Sequence, residues 1–226
     1  MPGPAWDDDD PGDSAMISAN CRDVLRTVQR DALARADISE RDVRSWHRVL
    51  YQGCAVPATA YVGNFRGDTA HHELIDYEVG VGRLLRDGLP EKMGVWARDV
   101  SPAVTRFVQA LESAMAILDQ NIPAGSKPKD AARIGEVIKL AAAAHGEWLR
   151  IHPFANGNGR TARLIANAIA LRYGLPALIA LKPRPAGVQY LRAARNSMGR
   201  PPDFQSDYYQ AVAAFTMYVR QTIGIG

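Results

Sequence analysis

His152-Pro153-Phe154-Ala155-Asn156-Gly157-Asn158-Gly159-Arg160-Thr161-Ala162-Arg163 packs one histidine, two glycines, two asparagines and two arginines into twelve residues, between two helical patterns. The proline ring disfavours helical dihedrals at the residue before it, so the upstream helix should end here and release His152 into a turn. Gly157 and Gly159 permit positive-φ backbone and close approach of a ligand. The next apolar periodicity begins at about Arg160, which sets the glycines at a helix N-terminus. Free N–H groups and the positive end of the helix dipole make such a place attractive to phosphate. Arg160 and Arg163 are three residues apart, share a helix face and can grip one polyanion. A base beside a phosphate cradle with two guanidinium groups reads as phosphoryl or nucleotidyl transfer. A plain Asn/Gly loop with solvated arginines explains any one of these residues, but it explains the whole set poorly.

The stretch resembles the signature of the Fic family, His-Pro-Phe-x-(Asp/Glu)-Gly-Asn-Gly-Arg-x-x-Arg, with one departure: Asn156 stands where the family carries an acidic residue. A second piece, Tyr61-Val62-Gly63-Asn64-Phe65-Arg66, is similar to the Gly-x-(Tyr/Phe)-Arg segment that precedes the family's flap. The resemblance covers roughly residues 38–200 and is sharp only over 152–163.

It implies a mainly α fold, a Fic-type helical bundle with a central helix-loop-helix and a small β-hairpin flap. It also implies a reaction in which a Ser, Thr or Tyr hydroxyl of a protein target attacks the α-phosphate of ATP, so that AMP is transferred and pyrophosphate leaves. His152 matches the family's base. The backbone of Gly157, Asn158 and Gly159 matches the anion hole. Arg160 matches the residue on the β-phosphate side, and Arg163 the one that holds the γ-phosphate. Asn156 occupies the Mg²⁺ position and offers a neutral oxygen instead of a carboxylate, so the metal is expected to be held weakly or by the nucleotide. Slower AMP transfer, another phosphate-containing donor and a weakly active or non-catalytic nucleotide-binding module all stay open. The intact Gly157-Asn158-Gly159 disfavours kinase chemistry of the Doc type.

By the same resemblance, residues 67–80 are the flap, with Leu74, Ile75, Asp76 and Tyr77 as the target-docking stretch. The partial alternation of Leu74 to Val79 fits one strand of a hairpin. The family's inhibitory pattern, Ser/Thr-x-x-x-Glu-Gly/Asn, has no good match. Thr69 and Glu73 have the spacing, but Leu74 follows. Either inhibition comes from a separate antitoxin protein, or the chain is unrestrained, or it needs no restraint because activity is low; a homodimer is also compatible with the chain.

Hydrophobic content of 47% and charged content of 23% are ordinary for a soluble globule. The two cysteines, Cys21 and Cys54, lack metal-ligand spacing, which suits a reducing cytoplasm. No apolar run reaches the roughly 18 residues of a membrane span. The net charge is +3, yet residues 151–200 carry seven arginines, one lysine and no Asp or Glu. This basic block suits a polyphosphate or an acidic protein. Nucleic acid is disfavoured because no aromatic-interleaved platform accompanies it.

Residues 1–15, rich in Pro, Gly and Asp, read as a disordered acidic tail ahead of a single domain over 16–226. Helices are expected near 22–35, 40–52, 81–87, from Ser101 to about 118, from Asp130 into the signature, from the signature to Tyr173, and near 186–198 and 206–222. His47 and His145 fall on apolar faces and read as structural. His71 and His72 read as surface residues.

Overall fold

The computed structural model describes residues 4, 6, 11–80, 92–201 and 203–223. Among them are seven α-helices and one short 3-10 turn, Thr59–Tyr61. The helices are α1 (Pro11–Leu33), α2 (Glu40–Leu50), α3 (Ala97–Asn121), α4 (Ala131–Ile151), α5 (Asn158–Arg172), α6 (Val188–Met198) and α7 (Tyr208–Ile223). The chain is mainly helical, as its sequence implies.

The centre is the pair α4 and α5, joined by the signature turn. Ala141, Ala142, Ala144 and Gly146 on α4 are buried. On α5, Ala162, Leu164, Ile165, Ala166, Ala168, Ile169 and Ala170 are all buried. A helix apolar on every side is a core helix, and α5 is enclosed by α4, α1 and α2. Around this pair, α3, α6 and α7 pack on α4.

Local chemistry sets the helix ends. Ser39 caps α2 through a capping box with Asp42. Asp130 caps α4 by accepting from the Arg133 N–H at 2.8 Å. Gly174, at φ +73°, lies just past the end of α5 and stops it.

Three expectations need correction. First, α1 begins at Pro11, inside the stretch read as tail, and Trp6 is buried against His47, Tyr51 and Tyr61. One indole supplies apolar area that the Pro, Gly and Asp around it lack. The acidic run Asp7–Asp10 lies outside the described residues. Second, α3 starts at Ala97 and carries Pro102 inside it rather than at its first position. Third, Leu74 to Asp76 form turns and Tyr77 lies in irregular backbone, not in a strand. Among the described residues the flap shows one ladder pair, Val79 with Met93. Leu74 and Tyr77 are buried in the core, so two of the four proposed docking side chains hold the segment down instead of facing a partner. The helix expected at 81–87 also lies outside the described residues.

Candidate active site

The signature turn is closed from within. His152 ends α4 in the left-handed region (φ 53°, ψ 56°). That conformation costs a non-glycine residue about 1–2 kcal/mol, so something must hold it. The holder is Arg66, which is fully buried. Its Nε donates to the His152 carbonyl at 2.8 Å, and its backbone N–H donates to the Pro153 carbonyl at 2.8 Å. Asn158 ties the other side: its amide accepts from the Phe154 N–H and donates to the Phe154 carbonyl, both at 2.8 Å. Phe154 is fully buried and stacks on His47 at 3.8 Å between ring centroids. His47 in turn sits 3.0 Å from the Asn156 carbonyl through Nε2 and accepts from the Gly63 N–H through Nδ1. With Nδ1 an acceptor, Nε2 carries the proton and donates to the Asn156 carbonyl. The histidine read as merely structural is thus a strut under the turn.

His152 is half-buried, and its Nδ1 lies 3.1 Å from the Leu149 carbonyl. A carbonyl can only accept, so Nδ1 carries the hydrogen and Nε2 keeps its lone pair. Burial, then the nearby Arg66 guanidinium and Lys92 ammonium, lower the imidazole pKa to about 4. The ring is therefore neutral throughout the physiological range.

Gly157 opens α5 at φ +77°. A Cβ there would lie 2.6 Å from the Tyr51 hydroxyl, so only glycine fits. Asn158 and Gly159 follow in the first turn, where no acceptor among the described residues meets their N–H groups. The Gly157 N–H is occupied by the Asn156 side-chain oxygen at 2.6 Å.

Arg160 donates to the Tyr51 hydroxyl at 2.6 Å. Arg163 is 4% exposed and donates to the Tyr190 hydroxyl at 3.0 Å and the Leu181 carbonyl at 2.7 Å. Its Nε is buried without a partner, and no carboxylate among the described residues forms an ion pair with it. Tyr190 also meets His145 Nε2 at 3.2 Å, and burial drives that imidazole down to about 3, which keeps it neutral beside Arg163. Asn167, one turn along α5, holds the Leu178 and Ile179 backbone and so places the loop that presents Leu181.

Asn156 is turned away from a metal role. Its oxygen takes the Gly157 N–H, and its Nδ2 donates to the Trp6 carbonyl at 2.8 Å. A neutral amide whose oxygen is already engaged does not fit a protein-held Mg²⁺.

The sequence-predicted set His152, Gly157, Asn158, Gly159, Arg160 and Arg163 thus falls on one turn and the first turn and a half of α5. Tyr51, Tyr190, Trp6, Glu78 and Lys92 escaped sequence reasoning. Tyr51 carried a usable signal, since it stands four residues after His47 on the buried face of α2 and its C-cap. A cavity of about 470 Å³ between α3, α4, α6 and α7 is lined by no residue of the signature.

The sequence pattern of the Fic/DOC family matches residues 37–170, more than half of the chain. The chain belongs to the Fic/DOC family. It is similar to a protein named "Protein adenylyltransferase Fic" from Nematostella vectensis, 45% identical over 65 residues that make up 28% of this chain and 15% of that protein. It is also similar to "Protein adenylyltransferase fic-1" from Caenorhabditis elegans, 52% identical over 42 residues, 19% of this chain and 8% of that one. The matched segments are a small part of both relatives. A Fic domain containing signaling protein from Bacteroides thetaiotaomicron superposes with a TM-score of 0.55 at 19% identity, covering 92% of this chain and 72% of that one. A stretch of Fic-1 from C. elegans gives a TM-score of 0.50 at 23% identity, with 91% and 49% covered. These likenesses bear on the fold. Among the described residues no helix is long and apolar enough to cross a membrane.

Proposed function

We propose that this chain transfers AMP from ATP to a hydroxyl side chain of a protein. Arg163 carries this reading: a buried cation with no described ionic partner and an unfilled N–H, one turn inside a helix N-terminus. Burying such a group without a counter-charge is costly, and an anion docked on the turn would remove the cost. The oxygens of a triphosphate supply that anion. The N–H groups of Asn158 and Gly159, at the positive end of α5, serve the same ligand.

His152 then acts as the base. Its Nε2 lone pair takes the proton of the attacking hydroxyl, the hydroxyl oxygen bonds to the α-phosphorus, and pyrophosphate leaves with the electrons of the broken P–O bond. The fixed Nδ1–H to the Leu149 carbonyl keeps the ring in the tautomer this step needs. Asn156 would add no charge to a Mg²⁺ ion, so the hold on such an ion would fall to the nucleotide phosphates.

The engaged amide of Asn156 favours a second reading, a nucleotide binder with little turnover. Incubation with a lysate, Mg²⁺ or Mn²⁺, and ATP labelled at the α or the γ phosphate separates the two. Protein label from the α position that requires His152 supports AMP transfer. Label from the γ position alone contradicts it. ATP binding without either label supports the second reading.

A further inference from the structure

We propose that Lys92 and Glu78, which stand on the two arms of the flap beside the Val79–Met93 pair, are positioning residues for His152 and act through Arg66 and Gly94. The proposal rests on the reading of His152 as the base.

The observations form one connected set. Glu78 Oε2 accepts from Arg66 at 2.9 Å and from Lys92 at 2.8 Å. Its Oε1 accepts from the Ala97 N–H at 3.0 Å, at the start of α3. From this carboxylate two paths reach the imidazole. Along the first, Arg66 holds the carbonyls of Ile151 and His152, along with those of Tyr77 and Val95. Along the second, Lys92 Nζ holds the carbonyls of Gly94 and Val95 at 2.8 and 2.7 Å. Gly94 lies directly against His152: at φ +78°, a Cβ on Gly94 would come within 2.2 Å of the His152 Cβ. The histidine is held by its carbonyl on one side and backed by Gly94 on the other.

Stability alone is a weak reason for this arrangement. Two cations and one carboxylate leave a net positive charge in a buried place, where an apolar side chain of Lys92's volume costs less. The same charge set has a plain use beside a base, because cations near an imidazole disfavour its protonated form. The charged groups that act on His152 are Arg66 and Lys92, with Glu78 paired to both. On α4, Arg150 is paired with Glu147 at 2.6 Å. The arms that carry Lys92 and Glu78 also carry the hairpin contact, so a peptide bound at the flap would pull on the groups that place the ring.

The test is the pH titration of the His152 imidazole by NMR in the full chain, in wild type, Lys92→Met and Lys92→Gln. Removing the ammonium is expected to raise the midpoint by about half a unit or more. Transfer is expected to fall about tenfold in kcat with KM for ATP unchanged. Lys92→Arg, which keeps charge and donors, should restore both. If Lys92→Met does not fold, Lys92→Gln keeps a donor for the Gly94 carbonyl and carries the test. A folded, uncharged variant with the wild-type midpoint overturns the proposal. The titration needs no turnover, so it decides the placement even if the chain transfers nothing; failure of transfer in the wild type would strike the functional reading instead.

Discussion

The signature turn and the flap segment lie against each other, yet they are built on opposite principles. The turn is made of local punctuation: Pro153 ends α4, Gly157 opens α5, and Asn158 closes the loop on Phe154. The flap stretch 67–80, with 92–94 beside it, is a run of turns with one ladder pair, Val79 with Met93. It is held by Leu74 and Tyr77 in the core and by the ties that Arg66, Glu78 and Lys92 make across it. A turn of the first kind can be read from its residues. A segment of the second kind takes its shape from partners far along the chain.

The sharpest way to break this contrast is at its hinge. Arg66→Ala removes one guanidinium from five acceptors and leaves Glu78 with Lys92 and the Ala97 N–H. Loss of one partner from a buried pair costs about 3–5 kcal/mol, so a large fall in Tm is expected, and a fall of a degree or two would show that the turn holds itself. Next in size is a test within the flap. Leu74→Ala should cost about 2–4 kcal/mol by cavity formation, while Ile75→Ala, at an exposed position, should change stability by about 0.5 kcal/mol or less. Equal effects in chemical denaturation would return both residues to a docking surface.

A smaller effect is expected at Asn156. Asn156→Asp puts a carboxylate against the Trp6 carbonyl, where the amide now donates. Loss of that bond should lower stability by about 1 kcal/mol, while Mg²⁺-dependent transfer rises because the metal gains a charged ligand. Unchanged or lower activity at every Mg²⁺ concentration would count against the account of Asn156 as a lost metal ligand. The mildest expectation concerns pH. The folded His152 binds its proton only near pH 4, the unfolded one near its ordinary value of about 6.5. The unfolded chain therefore binds more protons between these values, and this group's contribution to stability declines as pH falls from about 6.5 to 4. Transfer should keep its rate down through that same window; an acid limb near 6.5 would mean that the imidazole is not held down by burial and its cationic neighbours.

Much of the bundle was legible because its signals are short-range. The helix near 40–52, the start at Asp130 of the helix that runs into the signature and the end of α5 at Tyr173 are each written within a few residues. The same holds for the placing of His152, Gly157 and the two arginines. What stayed hidden depends on distance along the chain. Arg66 reaches a carbonyl 86 residues away, and Asn156 reaches one 150 residues away. Trp6 looked like part of a solvated tail because its neighbours are Pro, Gly and Asp, and no periodicity marks a single buried indole. Leu74 to Val79 misled by alternation: Leu74 and Tyr77 are buried against the core, Ile75 is exposed, and within the stretch only Val79 makes a ladder pair among the described residues.

The central claim is that the turn holds a triphosphate within reach of the His152 lone pair. It is tested most directly by comparing wild type with His152→Ala at matched ATP occupancy, following label from the α-phosphate into protein. The account predicts that ATP still binds the variant while transfer falls by about a hundredfold or more. Transfer that persists in His152→Ala at the wild-type rate would contradict it.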